Sequence, residues 1–132
     1  MRVLIVDDHE QVRRGIRFLL HNQENCEVSG EAVDGQDAIT KVQQLRPDVV
    51  IMDISMPNLN GLEATRRVTS LLPSCAVLIL SQHDSAEMVR QALRAGARGY
   101  VVKSSVGRDL LTAIRKVSGG ETYLSPALSA YF

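Results

Sequence analysis

Four apolar runs in this chain each end on a polar residue, and that pattern restricts the fold more than any other feature. Val3-Leu4-Ile5-Val6 ends on Asp7 and Asp8, and Val49-Val50-Ile51-Met52 ends on Asp53. Ala76-Val77-Leu78-Ile79-Leu80 ends on Ser81, and Tyr100-Val101-Val102 ends on Lys103. Short continuous apolar runs suit strands covered on both faces, as in parallel sheets. If the runs lie parallel in one sheet, their carboxyl ends share one edge. Three carboxylates, a hydroxyl and an ammonium then meet in the crevice where open α/β sheets take ligands.

Strand and helix patterns alternate five times along the 132 residues. After the first strand (2–6), Val12, Ile16, Leu19 and Leu20 recur at helical spacing, with Arg13, Arg14 and Arg17 as the polar face. Residues 27–33 alternate enough for a second, less buried strand. Asp34 has N-cap chemistry before the stripe of Ala38, Ile39, Val42 and Leu45, and Pro47 stops that helix. Asn60 and Asp84, followed three residues on by Glu63 and Glu87, predict the starts of the third and fourth helices. Gly96 suits the left-handed residue that ends a helix. Residues 99–102 make the fifth strand, and Leu110, Leu111, Ile114 and Val117 make the fifth helix amphipathic.

Gly119-Gly120 closes the pattern. Residues 1–120 therefore read as one domain and 121–132 as the start of a linker, where Ser125-Pro126 would open a short last helix. The expected fold class is α/β: a doubly wound, five-stranded parallel sheet with right-handed crossovers.

Fifteen basic and fifteen acidic side chains cancel, so the chain lacks the basic face that neutralises nucleic-acid phosphates. No apolar run approaches membrane-spanning length, and the first strand starts too close to Met1 for a secretory leader. Cys26 and Cys75 show neither CxxC nor zinc spacing and read as small apolar residues kept reduced. A cytoplasmic protein without membrane contact is expected.

Three carboxylates at one strand edge repel one another and raise one another's pKa values. A divalent cation removes that conflict. Magnesium takes oxygen ligands, keeps several waters, and is usually held by one or two carboxylates plus phosphate. Asp7, Asp8 and Asp53 offer such ligands, Lys103 a point charge for a phosphate oxygen, and Ser81 a hydroxyl. His9, His21 and His83 lack transition-metal spacing and are expected to face solvent. Gly61 is expected only to ease entry into the third helix.

The segments VLIVDD, DVVIMDISMPNLNG, LILS and GARGYVVK, in that order and at these separations, resemble the receiver domain of two-component response regulators over residues 2–118. The resemblance implies the flavodoxin-like strand order 2-1-3-4-5. It implies that Asp53 is the phosphoacceptor, taking a phosphoryl group from a phosphohistidine on a sensor histidine kinase. It implies Mg²⁺ held by Asp8, Asp53 and the backbone carbonyl of Ser55, with Asp7 acting through a metal-bound water. Lys103 and Ser81 would bind phosphoryl oxygens. Ser81 and Tyr100 would form a switch that remodels the face of the fourth helix, fifth strand and fifth helix. Ser55 and His83 stand where the family tunes hydrolysis of the acyl phosphate.

AIRKVSGGETYLSP resembles the segment that follows the receiver in the NarL/LuxR-type subfamily. That implies a C-terminal helix-turn-helix output domain, DNA binding through it in the full-length protein, and a homodimer on phosphorylation. Two positions depart from the commonest pattern. Ser104 follows the lysine where many receivers have proline, so a cis bond there costs about 3–4 kcal/mol, and Gln82 stands where a small residue often follows the switch hydroxyl.

Two rival functions are weaker. A magnesium-dependent phosphohydrolase with an aspartate nucleophile would use Asp-x-Asp after the first strand, whereas Asp7 and Asp8 are adjacent. A receiver-like interaction module that never takes phosphate predicts a disrupted acid set, whereas Asp7, Asp8, Asp53, Ser81 and Lys103 are all intact. The chain is accordingly read as a phosphoacceptor switch that catalyses only its own phosphotransfer and dephosphorylation.

Overall fold

The computed structural model describes residues 1–131. Its sheet contains β1 (Arg2–Val6), β2 (Glu27–Ala32), β3 (Val49–Met52), β4 (Ala76–Ser81), β5 (Gly99–Val102) and β6 (Tyr123–Leu124). All neighbouring strands pair parallel, in the order β2-β1-β3-β4-β5-β6. The expected order of the first five strands holds, and β6 adds a sixth that the sequence did not announce. Two residues are too few to carry an apolar period, so only their pairing with Gly99 and Tyr100 makes them a strand.

Helices α1 (Glu10–Leu20), α2 (Gly35–Leu45), α3 (Gly61–Leu71), α4 (Ala86–Arg94) and α5 (Val106–Ser118) cover the two faces, and α6 (Pro126–Ser129) follows β6. Alternation along each strand divides the core. Leu4, Val6, Val50, Met52 and Tyr100 pack against α2, α3 and α4, together with Leu128 of α6. Val3, Ile5, Ile51, Leu78 and Val101 pack against α1 and α5. The four central strands are buried at every position from Val3 onward, while β2 is mostly half-buried, as its sequence suggested.

Local chemistry sets the helix ends. The Asp34 carboxylate accepts from the Asp37 N–H at 2.8 Å, and Asn60 Oδ1 accepts from the Glu63 N–H at 3.0 Å. The fourth helix corrects the sequence expectation: its cap is Ser85, whose hydroxyl accepts from the Met88 N–H at 3.2 Å, and not Asp84. Either residue type caps well, and one position of register decides between them. Gly96 takes the left-handed φ of 108° expected past a helix end. Among the described residues no peptide bond is cis, so the Lys103–Ser104 bond is trans.

Candidate functional site

The parallel ladder aligns the strand ends. Val6 pairs with Met52, Met52 with Ile79, and Ser81 with Val102, so the residues that follow emerge at one edge. The ladder also fixes their backbones: the Asp7 N–H donates to the Ala32 carbonyl at 3.1 Å and the Asp53 N–H to the Val6 carbonyl at 3.0 Å. Asp7 is 1% exposed and Asp53 4%. Ionised carboxylates this deeply covered need partners.

Their only neighbouring cation of the side-chain amine type is Lys103, among the described residues. Its Nζ lies 3.0 Å from Asp7 Oδ2 and 3.4 Å from Asp53 Oδ1. Burial pulls the lysine pKa down, but the hydrogen bond to Asp7 and the charges of Asp53 and Asp7 outweigh that and leave it above its ordinary value. One ammonium does not neutralise three acids. Asp53 is pushed above the ordinary carboxylate range, first by burial and then by the charge of Asp7, with Lys103 opposing.

Ligand atoms of Asp7, Asp8, His9 and Asp53 all lie within 4.8 Å of one another. Asp7 Oδ2 and Asp8 Oδ1 are buried oxygens, the first with only the Lys103 ammonium beside it and the second with only the exposed His9 ring. Buried carboxylate oxygens so sparsely partnered are uncommon in native proteins and suit a ligand. A hard cation that takes several oxygens fits this donor set. His9 was expected only to face solvent. It is exposed, yet its Nδ1 lies 3.3 Å from Asp7 Oδ1 and 3.2 Å from Asp8 Oδ1.

The crevice opens to solvent over about 310 Å³ between His9, Asp53, Ser55, Gln82 and Lys103. A larger groove at the opposite end of the sheet, beside Met1, Cys26 and Arg115, has no such acid cluster. His83, also expected to face solvent, is half-buried and ties three predicted residues together. Its N–H donates to Ser81 Oγ at 3.0 Å, its carbonyl accepts from the Tyr100 hydroxyl at 2.7 Å, and its Nε2 lies 3.1 Å from Ser55 Oγ. Tyr100 is already turned inward and fully buried. Burial pushes its hydroxyl pKa up, so it stays a donor.

Two further residues have roles that the sequence reading did not give them. Arg13, read as part of a solvated face, is largely buried, and its Nη1 donates to the Asp7 carbonyl at 2.7 Å. Glu10 and Glu31 hold its guanidinium from the other side. Gly61 does more than ease a helix start: a Cβ there would overlap the carbonyl oxygen of Asp53. The close approach lets the Gly61 N–H donate to the Ile54 carbonyl at 2.9 Å and pins the backbone after Asp53. Each contact crosses one strand-to-helix loop, β1 to α1 and β3 to α3, and follows no helical or strand period that the sequence would display. Asp8 is part-exposed at the rim of the cluster, Ser55 is exposed, and Cys26 and Cys75 are free thiols.

Comparison with known proteins bears on the family and the fold. The family described as response regulator receiver domain matches residues 3–115. The chain is 41% identical over 130 residues to the oxygen regulatory protein NreC of Staphylococcus carnosus, covering 98% of this chain and 60% of that one. It thus spans about three-fifths of the length of the curated relatives it matches. The crystal structure of a LuxR-family two-component response regulator from Aurantimonas sp. SI85-9A1 superposes with a TM-score of 0.94 at 35% identity, covering 98% of this chain and 93% of that one. The isolated receiver domain of RcsB from Salmonella enterica serovar Typhimurium, solved with the phosphomimetic BeF₃⁻, superposes with a TM-score of 0.91 at 27% identity, covering 100% and 98%.

Proposed function

The chain belongs to the response regulator receiver family, in its NarL/LuxR-type branch, and from that premise we propose that Asp53 is the phosphoacceptor of a two-component signalling switch. A carboxylate oxygen of Asp53 attacks the phosphorus of a phosphohistidine on a sensor histidine kinase. The P–N bond breaks, the P–O bond of an acyl phosphate forms, and the imidazole leaves with the electron pair.

The observation that carries this reading is the shortage of partners for Asp7 Oδ2 and Asp8 Oδ1 beside a buried Asp53, with one lysine and one exposed histidine among three acids. Mg²⁺ suits this donor set, held by Asp8, Asp53 and the Ser55 carbonyl and, through water, by Asp7; bound there it offsets the negative charge gathered by the acids and the phosphoryl group. Lys103, already between Asp7 and Asp53, moves its ammonium onto a phosphoryl oxygen. Ser81 turns its hydroxyl from the His83 N–H to another. The Ser55–His83 contact stands over the crevice mouth and governs how readily water reaches the acyl phosphate.

Tyr100 reads the change at Ser81 through their shared partner His83, and the face of α4, β5 and α5 is remodelled. We place the protein in the cytoplasm. The part of the longer relatives beyond this chain's match is assigned to a helix-turn-helix DNA-binding output domain, and phosphorylation to homodimer formation. The phosphohydrolase alternative is disfavoured because Asp7 and Asp8 are adjacent, without the Asp-x-Asp spacing, and among the described residues the crevice is open to solvent.

Incubation with a small-molecule phosphodonor and Mg²⁺ tests the proposal. The expected product is an acid-stable, base-labile label, abolished by EDTA and by Asp53→Asn. Labelling that survives Asp53→Asn moves the acceptor elsewhere, and turnover of an added phosphomonoester favours the hydrolase.

A further inference from the structure

An edge strand presents unpaired N–H and C=O groups, and natural sheets cover such edges. Without residues 121–131, β5 would be that edge. The tail covers it in register: the Tyr123 N–H donates to the Arg98 carbonyl and the Ser125 N–H to the Tyr100 carbonyl, both at 3.0 Å. Where the two-residue strand ends, a side chain continues the ladder. The Val102 N–H donates to Ser125 Oγ at 3.1 Å, and Ser125 is fully buried. Buried polar groups are satisfied at such sites because an orphan is costly, so this hydroxyl ties the tail to a defined place.

The apolar contacts fall on the same side. Leu124 pairs with Tyr100 across the ladder. Leu128, 1% exposed, joins the cluster that contains Tyr100, Val102, Val89 and Ala92. Residues 100 and 102 share one face of β5, and the tail's two leucines belong to the core cluster on that face together with the Tyr100 ring. Tyr123 is held as well: burial and the nearby Asp109 carboxylate push its hydroxyl pKa up.

The switch tyrosine is thus tied at two points. Its hydroxyl is taken by the His83 carbonyl at the crevice end, and its carbonyl by the Ser125 N–H of the tail, whose Leu128 shares its core cluster. Backbone contact runs the same way, because Ser125 grips the amide immediately before Lys103.

We infer that residues 121–131 and Tyr100 form one two-state unit, in which the docked tail holds the Tyr100 ring inward and a phosphoryl group at Asp53 tightens the tail. The inference rests on the phosphoryl reading of the crevice and assigns its readout to the tail. Tail docking and phosphoryl binding then favour each other by the same factor, since coupling between two sites is reciprocal. The segment is therefore part of the receiver's switch and not a passive spacer.

Beryllium fluoride with Mg²⁺, a phosphoryl mimic, tests both directions on the full chain. Hydrogen exchange should slow at the Val102, Ser125 and Leu128 amides when the mimic is added. Ser125→Ala and Leu128→Ala should bind the mimic about fivefold more weakly, at the low end of ordinary allosteric coupling. Leu20→Ala, a core truncation beneath α1, should lower Tm and bind the mimic as wild type does. Should Leu128→Ala fail to fold, Ser125→Ala carries the comparison. Unchanged exchange in the tail with equal affinities overturns the inference and leaves the phosphoryl reading standing, as does an equal loss in Leu20→Ala. Failure of wild type to bind the mimic overturns the phosphoryl reading and, with it, this one.

Discussion

Two clusters of charge sit within one helix of each other and are built from the same kinds of residue, yet they differ in completeness. On the outer side of α1, Glu10 and Glu31 are matched by Arg13 and Arg17. Arg17 Nη1 lies 2.5 Å from both Glu31 oxygens, and Arg13 Nε 2.9 Å from Glu31 Oε1. The Glu10 carboxyl is held below its usual range, chiefly by its hydrogen bond to Arg17, and Arg17 above its own, chiefly by its bond to Glu31. In the crevice, Asp7 and Asp53 share the one Lys103, and Asp8 has only the exposed His9 ring beside it. The first cluster is finished by the chain itself. The second is left for something else to finish, which separates a structural ion network from a binding site.

The two clusters also touch. Arg13 belongs to the completed network, yet it donates to the Asp7 carbonyl and so braces the incomplete one. This brace helps a buried carboxylate that shares its one lysine with Asp53 to keep a defined position.

The largest effect that can break this contrast is loss of the single amine. Lys103→Ala should cost about 3 kcal/mol in metal-free protein, because it strands buried Asp7 and Asp53. Added Mg²⁺ should recover much of that loss in thermal melts. A variant as stable as wild type without metal would mean the crevice acids are not in conflict.

Asp53→Asn should act with the opposite sign, gaining about 1 kcal/mol near neutral pH without metal. The folded-state pKa of Asp53 lies above its ordinary value of 3.8. Folding therefore binds a proton between those two values, and wild-type stability falls as pH rises through that window. The advantage of the asparagine variant should open over the same window and vanish below it. Melts of both proteins across acid pH, in EDTA, give the measurement. A constant gap at every pH would contradict the assigned cause.

The smallest effect belongs to the completed network. Glu31→Gln should cost about 0.5 kcal/mol, partly erased by high salt, because Glu31 and Arg17 are both partly exposed. Asp53 labelling should stay within about twofold of wild type, since Arg13 keeps its bond to Asp7. A tenfold loss of labelling would show that the clusters are not separable.

Much of this contrast was legible in the sequence because the strands are continuous apolar runs and each acid sits at a strand end. The gathering of Asp7, Asp8, Asp53, Ser81 and Lys103 at one edge and the caps at Asp34 and Asn60 follow from those local patterns, whereas the strand order came from the family resemblance. What stayed hidden depends on contacts that follow no strand or helix period, whether across one loop or between distant segments. The role of Arg13 needs the Asp7 carbonyl beside α1, and that of Gly61 needs the Asp53 carbonyl beside α3. His83 looked like a loop residue, and only its three bonds make it the joint between Ser55, Ser81 and Tyr100. The tail reads as a spacer until β5 supplies the partner for β6.

Calorimetric titration with Mg²⁺ at neutral pH addresses the unfinished cluster most directly. Wild type should take up one ion, Asp8→Asn and Asp53→Asn should bind at least about tenfold more weakly, and Glu31→Gln should match wild type. Undetectable binding to wild type, or equal affinity in all four proteins, would contradict the claim that the three aspartates are held together to receive a cation.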